Sequence, residues 1–177
     1  MERYAPVDTR IAYCSVGNLV CSEGSIGISS VNLYGEQHTQ IRDDFKTCNP
    51  NGNYHDRTDK TVTLFENSYY TLQIQTYCTQ RDAYGSHCNQ AKYIRVWIDF
   101  NNDGVFDEKQ GELITSNSNE QDIRIRIPQI NRRLNLNEHY RMRIIVTQDE
   151  NNHQACYNTG YGEARDYTIR FLSKAVY

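Results

Sequence analysis

The sequence predicts an all-β fold, a two-sheet antiparallel β-sandwich of jelly-roll-like form in a single domain over residues 1–177. Apolar residues recur at every second position in several segments, which is the side-chain period of a half-buried strand. Each such segment has one apolar and one polar face, as in sheets that cover a core on one side. No segment shows a convincing helical period. Several short strands of this kind are typical of a sandwich.

Seven segments are predicted as strands, five from clear alternation and two from weaker alternation. In chain order the clear strands lie within Tyr70–Gln75, Tyr93–Ile98, Asp122–Ile127, Arg141–Val146 and Tyr167–Phe171. The weaker strands are Ile26–Tyr34 and Thr61–Phe65, and Pro128 ends the third clear strand. Arginines at alternate positions are interpreted as a solvated sheet face, and a binding stripe for an acidic ligand is the alternative.

Charge and cysteine content limit the classes of function. The net charge of −3 disfavours nucleic acid and anionic membranes as main partners, because both require a basic face. An even number of cysteines without zinc or redox spacing predicts up to three disulfides in an oxidising compartment, and hence a secreted or cell-surface protein. The cysteines are Cys14, Cys21, Cys48, Cys78, Cys88 and Cys156. Fifteen connectivities are open, and a local bridge from Cys78 to Cys88 is one possibility.

The first residues, Met1–Tyr4, do not have the basic-then-apolar pattern of a signal peptide. A secreted form is therefore expected to have lost its leader. No apolar run approaches the length of a membrane span, so membrane insertion is not expected.

The strongest local signal is the segment Asp99–Asp107, which predicts a calcium-binding loop. Oxygen-bearing side chains at its first, third, fifth and ninth positions suit a hard cation, and glycine at the sixth permits the sharp turn. The predicted ligands are Asp99, Asn101, Asp103, the carbonyl of Val105, Asp107 and, later in the chain, Glu112. The twelfth position is Gln110 and a strand precedes the loop, so the motif is EF-hand-like on a β scaffold. The alternative is an Asx-rich turn that binds nothing.

A second motif, Gly162-Glu163-Ala164-Arg165-Asp166, precedes the last predicted strand. Together with the loop it resembles the GEVED domain, a module of secreted, often multidomain, mainly bacterial proteins. The resemblance also includes Tyr13-Cys14, Ile28–Leu33, Tyr54–Thr58, Val96–Asn101, Gly111–Leu113 and Arg141–Arg143. It implies that Glu163 and Asp166 lie near the cation or brace its loop, and the alternative is that they close the last strand by hydrogen bonds. Ala164 replaces valine, and Arg165 replaces an acid, which removes any ligand role at that position.

Catalysis has little support in the sequence, and we expect no enzymatic activity. The histidines His38, His55, His87, His139 and His153 lie in separate polar segments. No metalloprotease spacing, nucleophile elbow or phosphate-binding glycine loop is found. Cys156 near His153 suggests a thiol nucleophile less strongly than it suggests a disulfide.

The predicted function is a calcium-binding extracellular recognition or adhesion module that binds a glycan or a cell-surface glycoprotein without catalysis. Fourteen tyrosines and the single tryptophan, Trp97, offer rings that stack on sugars, and Trp97 is the candidate ligand-binding residue. The alternative is a structural accessory or spacer domain of a larger secreted protein such as a protease.

Overall fold

The computed structural model describes residues 12–22, 24–79, 92–115, 122–130, 138–151 and 154–173. These residues form two packed sheets, which confirms the predicted all-β sandwich. The strands are β1 (Gly17–Val20), β2 (Ile26–Tyr34), β3 (Gln40–Asp43), β4 (Tyr54–Phe65), β5 (Ser68–Cys78), β6 (Tyr93–Ile98), β7 (Leu113–Thr115), β8 (Asp122–Ile127), β9 (Tyr140–Thr147) and β10 (Asn158–Leu172). A 3-10 turn, Glu108–Gln110, precedes β7. Within the described ranges no helix has the length and hydropathy needed to cross a membrane.

The second sheet has the order β3-β2-β5-β8 and is antiparallel throughout. The first sheet has the order β1-β10-β9-β6-β7 and is mixed. The long strand β10 pairs antiparallel with β9 along one edge. Along the other edge it pairs in parallel with β1 and then with β4. The antiparallel prediction therefore describes the second sheet and only part of the first, because alternation along one strand does not reveal the direction of its neighbour.

The predicted strands are all present, and β2, β6 and β8 have the predicted bounds. The largest difference is β10, which begins at Asn158, well before the predicted start at Tyr167. Its first half is rich in glycine and charge, which hides it from a search for apolar alternation. The strands β1, β3 and β7 were not predicted, since each has only three or four residues.

The main core lies between the sheets and is built from the apolar faces of the predicted strands, for example Ile74, Val96 and Ile144. The outer face of the first sheet is covered as well, by loops that carry Tyr13, Phe106 and Ala155 onto it. The outer face of the second sheet is exposed. The single-domain assignment over residues 1–177 stays a prediction.

Two disulfides lie within the described residues, Cys14–Cys156 and Cys21–Cys48. Cys78 is disulfide-bonded as well, and Cys88, its suggested partner, lies outside the described residues. The first bridge ties the segment before β1 to the loop before β10, across 142 residues of sequence. It therefore holds the loops that cover the first sheet.

Replacing both members of the Cys14–Cys156 bridge with serine is expected to lower the free energy of unfolding by about 2–5 kcal/mol. The physical reason is the long chain segment that the bridge closes in the unfolded state. The matched control is the same double replacement at Cys21–Cys48, which closes only 27 residues and is expected to cost less. Urea unfolding without reductant measures both, and an equal or reversed order would contradict the expectation.

Candidate functional site

The Asp99 loop leaves the end of β6 and returns to β7. Asp99 is fully buried and accepts hydrogen bonds from the backbone N–H groups of Asp103 (3.3 Å) and Gly104 (3.0 Å). Asn102 and Gly104 adopt left-handed backbone conformations, with φ of 56° and 85°. Asparagine and glycine tolerate this region best, which explains how the chain turns so sharply here.

Three further side chains of the loop each cap a backbone N–H two residues ahead. Asn101 Oδ1 accepts from Asp103 N (2.9 Å), and Asp103 Oδ1 accepts from Val105 N (2.8 Å). Asp107 Oδ1 accepts from Lys109 N (2.8 Å). These Asx turns bend the chain repeatedly, so the oxygen-bearing residues predicted from the sequence do lie in one compact loop.

Glu112 closes the loop from its far end. Its carboxylate accepts from Phe100 N (3.2 Å) through one oxygen and from Asp107 N (2.8 Å) through the other. The residue is 1 % exposed, and burial raises the pKa of its carboxyl, with the nearby charges of Asp99 and Asp103 adding to the effect. Several acids therefore share a small, partly buried volume and repel one another.

Amide hydrogens connect two of the loop's carboxylates. Asn101 Nδ2 donates to Asp103 Oδ2 (2.9 Å) and to Gln110 Oε1 (2.8 Å). Gln110 Nε2 donates to Asp107 Oδ2 (3.3 Å). Within the described part of the chain, no group of three or more His, Cys, Asp or Glu side chains is placed to hold a metal ion. The position of the loop was therefore predicted correctly from the sequence. In the structure, the carboxylates of Asp103 and Asp107 accept hydrogen bonds from the side-chain amides of Asn101 and Gln110.

Tyr13 joins the loop to the rest of the site. Its hydroxyl donates to Asp99 Oδ2 (2.7 Å), and its ring lies 5.3 Å from that of Phe106. The Arg141 guanidinium lies over the same ring, 4.6 Å from its centroid. Burial and the Asp99 carboxylate raise the pKa of Tyr13 well above its ordinary value, so the hydroxyl remains a donor.

Asp166, the last acid of the motif, is fully buried and organises the other side of the site. Its carboxylate forms a two-pronged ion pair with Arg143, at 2.7 Å to Nε and 2.8 Å to Nη2. It also accepts from Arg141 Nη1 (3.0 Å) and from the Tyr54 hydroxyl (3.0 Å). Burial, with the Asp166 charge second, raises the pKa of Tyr54.

Arg143 connects Asp166 to the loops that cover the first sheet. Its remaining nitrogen donates to the carbonyl oxygens of Cys14 (3.1 Å) and Ala155 (2.8 Å). Its guanidinium also lies 5.0 Å from the ring of Phe106, within the Asp99 loop. The hydrogen bonds of Asp166 therefore run to β9 and β4. Of the two arginines that it holds, Arg143 packs against Phe106 of the loop and Arg141 packs on Tyr13.

Glu163 and Arg165 face the opposite way, into the space between the sheets. Glu163 accepts from Ile28 N (2.8 Å) and from Arg165 Nε (2.6 Å). Arg165 Nη2 donates to the carbonyl oxygens of Ile28 (2.7 Å) and Phe45 (2.6 Å). Burial raises the pKa of Glu163 to about 7, and the Arg165 charge opposes that shift. Arg165, interpreted from the sequence as the loss of an acid, is thus an inter-sheet connection.

Gly162 opens the motif because no side chain fits there. A Cβ at this position would lie 2.4 Å from the carbonyl oxygen of Val146 in β9. Ala164 is buried against Val16, Leu19 and Ile145, where the covering segment meets the sheet. The small residues of the motif therefore permit close packing, and its charged residues connect the layers.

A cavity of about 190 Å3 opens beside these residues. Tyr13, Tyr54 and Arg143 line it together with the backbone segment from Cys14 to Gly17. Tyr157 adjoins the wall, since its N–H donates to the carbonyl of Ser15 (3.0 Å). Its side chain is 72 % exposed and its backbone has a φ of 61°, a strained value for an aromatic residue. Strain of this kind clusters at functional sites.

Two sequence interpretations need correction. Trp97 is 2 % exposed and packs under Phe106, with ring centroids 6.3 Å apart, so it is not available to stack on a surface ligand. Arg143 is also 2 % exposed, which is inconsistent with a fully solvated arginine face. The cause is the same for both residues: the covering loops bury the outer face of the first sheet.

The comparisons support the resemblance noted above. Residues 93–170 match the family model of the GEVED domain. This match confirms the predicted GEVED resemblance for that segment of the chain. The matched segment includes the Asp99 loop, Glu112 and the Gly162–Asp166 motif, and it runs from β6 almost to the end of β10. No curated protein matches the chain. The strands β1 to β5 lie before the matched GEVED segment and complete both sheets.

Sequence reasoning missed Tyr54, Arg143 and Asp43 as parts of the site. Tyr54 and Arg143 were noted only as members of segments that resemble the GEVED domain. Asp43 had no signal, because it lies on the short strand β3 and becomes important only where that strand faces β10.

Asp43→Asn is expected to destabilise the chain by about 3 kcal/mol at neutral pH. Asp43 is 2 % exposed and accepts from Arg57 (2.9 Å) and from the Tyr167 hydroxyl (2.9 Å), with Arg165 at 3.4 Å. Burial alone would raise the pKa of this carboxyl. The hydrogen bonds and the positive charges outweigh burial and lower the pKa below its ordinary value of 3.8.

A group whose pKa is lowered by folding stabilises the native state above its unfolded pKa and loses this contribution as the pH falls. The advantage of the natural chain over Asp43→Asn is therefore constant near neutrality and shrinks below about pH 4. Urea unfolding at a series of pH values measures it. Asp44→Asn, a change at an exposed neighbour, is the control and is expected to show little difference. A constant difference for Asp43→Asn down to pH 3 would contradict the assignment.

Proposed function

We propose that this protein is a calcium-binding extracellular recognition module that binds glycans or glycoproteins without catalysis. The observation that carries the proposal is the hydrogen bond from Tyr13 to Asp99, because it links the candidate calcium loop to the tyrosine-lined cavity. A cation that orders Asp99 would thereby also order one wall of the cavity.

The donor set of the loop suits calcium, which takes six to eight oxygen ligands from carboxylates, amides and carbonyls. The ligands would be Asp99, Asn101, Asp103, the Val105 carbonyl and Asp107, with Glu112 as a ligand or a brace. Amide groups present a donor on one side and an acceptor on the other. Rotation of Asn101 would replace the N–H that now contacts Asp103 with an oxygen. The bound ion would supply positive charge among mutually repelling acids.

The cavity suits a ligand with a sugar ring. Tyr13 and Tyr54 both line it, and aromatic faces stack on the apolar faces of sugars. Both rings are fixed by hydrogen bonds from their hydroxyls, so little side-chain entropy is lost when a ligand binds. The disulfides support an oxidising, extracellular environment.

The same hydrogen bonds also favour the second candidate, a structural accessory or spacer domain. The hydroxyls of Tyr13 and Tyr54 are already occupied within the protein. In that case calcium would stiffen the fold and the cavity would hold no ligand. The two candidates differ in whether anything binds at the cavity.

Calcium is expected to raise the melting temperature, and Asp103→Ala is expected to remove most of that increase. An ion that binds only the folded state stabilises it by about 2.7 kcal/mol at a hundredfold excess over its dissociation constant. In chelator the variant should lose only the turn bond to Val105 N and the amide bond from Asn101 Nδ2. Asp59→Ala, at an exposed acid on β4, is the matched control. Equal losses in calcium and in chelator would mean that the loop is an Asx-rich turn without a cation.

A glycan array probed with calcium-loaded protein is expected to give binding that chelation weakens. Tyr54→Ala removes a cavity wall and should weaken binding about tenfold, whereas Tyr54→Phe keeps the ring and should retain most of it. Melting curves of both variants report the loss of the Asp166 contact separately. Tyr161→Ala changes an exposed tyrosine outside the cavity and serves as control. Absence of binding across the array would exclude the glycan version and favour a protein ligand or a spacer role.

A further inference from the structure

The outer face of the second sheet lies on the other side of the sandwich from the cavity. Its outward positions are exposed on β3, β5 and β8, whereas on β2 Tyr34 is exposed and Ser30 is buried. Its outward positions alternate with core residues on all four strands. They are Gln40 and Arg42 on β3, Ser30, Asn32 and Tyr34 on β2, Tyr69, Thr71, Gln73 and Gln75 on β5, and Asp122, Arg124 and Arg126 on β8. This set contains no aliphatic residue, and we call it the outer face.

The outer face is positively charged although the whole chain carries −3. It holds three arginines and one aspartate, and that aspartate, Asp122, accepts a hydrogen bond from Gln73 (3.0 Å). Arg42 is paired with the exposed Asp44 at 3.3 Å, a contact weak enough to exchange with an incoming anion. Arg124 and Arg126 are exposed on the edge strand β8. Positive charge is thus concentrated where a ligand has access.

Aromatic rings lie between the charged edges. Tyr34 is 64 % exposed and Tyr69 is 57 % exposed, on the neighbouring strands β2 and β5. The Arg124 guanidinium stacks over the Tyr69 ring at 4.2 Å from its centroid. This stack holds an otherwise flexible arginine flat against the sheet. Tyr69 also lies directly across from Arg126 in the strand register.

Amides fill the rest of the outer face, notably Asn32, Gln73 and Gln75. Ser30 donates to Gln75 Oε1 (3.2 Å), and this bond does not use the Gln75 amide hydrogens. Amides offer both donors and acceptors, which is what hydroxyl groups of sugars require. Charge, rings and amides therefore occur together on one face of the sheet.

We propose that the outer face binds an acidic polysaccharide. Sugar rings stack on Tyr34 and Tyr69, and the carboxylate or sulfate groups of the chain pair with Arg124 and Arg126 on one edge and with Arg42 on the other. The arginines on β3 and β8 are three strand spacings apart, about 14 Å, so an extended polymer is needed to contact both. This surface is distinct from the cavity, and its charge does not depend on the calcium loop.

The positive charge of the outer face favours an anionic polymer as its ligand. The exposed rings and amides favour a polymer of sugars over an acidic peptide. An acidic peptide would use the arginines and gain little from Tyr34 and Tyr69. Removal of a tyrosine ring distinguishes the two kinds of ligand, because it should weaken the binding of a polysaccharide much more than the binding of an acidic peptide.

The test uses the full chain and polygalacturonate, with methyl-esterified polygalacturonate as a matched neutral polymer and polyglutamate as a non-sugar polyanion. Biolayer interferometry is expected to show binding of the acid form, weaker binding of the ester, and a decrease with added salt. Arg124→Gln combined with Arg126→Gln should weaken binding about tenfold. Tyr69→Ala should weaken it about fivefold, with polyglutamate hardly affected.

Arg170→Gln is the control for the loss of one exposed positive charge, because Arg170 is exposed on β10, in the other sheet. It should leave the affinity unchanged, and chelator should have no effect, which separates this proposal from the calcium-dependent cavity. Absence of polygalacturonate binding would overturn the proposal. So would an equal loss in Arg170→Gln, or polyglutamate binding as tight as polygalacturonate binding, since either outcome would indicate a general charge effect.

Discussion

The buried pair of Glu163 and Arg165 is the interaction on which the sandwich depends. β2 has a register irregularity between Ile28 and Ser30, and the backbone N–H and C=O of Ile28 are met there by Glu163 and Arg165. The side chains of Glu163 and Arg165, from the first sheet, thus make the backbone hydrogen bonds to Ile28 that a neighbouring strand would otherwise make. Removing ions from water is costly, so such a pair contributes stability only if its remaining polar atoms are also bonded. Asp43 and the Phe45 carbonyl meet that requirement for Arg165.

The same strand organises the opposite face of the first sheet. Because side chains alternate along β10, Asp166 points outward when Glu163 and Arg165 point inward. It holds Arg143, and Arg143 holds the carbonyls of Cys14 and Ala155, next to the Cys14–Cys156 bridge. These contacts place Tyr13 beside Asp99. One segment of five residues therefore connects the core, the covering loops and the candidate calcium loop.

The two outer faces of the sandwich have different environments, and the difference explains the two proposals. Loops cover the first sheet around Arg143, so that arginine is desolvated, paired and structural at 2 % exposure. The described residues leave the corresponding positions of the second sheet exposed, so Arg124 and Arg126 keep their charge available to a ligand. The same residue type in the same alternating pattern thus has opposite roles in the two sheets.

The sequence by itself determined the strands with apolar alternation, the all-β class, the Asp99 loop and the GEVED resemblance, because each is encoded in the order of nearby residues. It did not determine the parallel partners of β10, the burial of Trp97 and Arg143, or the inter-sheet role of Arg165. Those depend on which distant segment covers a face, and a period of two residues is the same whether loops or water lie above it. The cavity between Tyr13 and Tyr54 belongs to this second group, since it joins residues 41 positions apart that only the tertiary fold brings together.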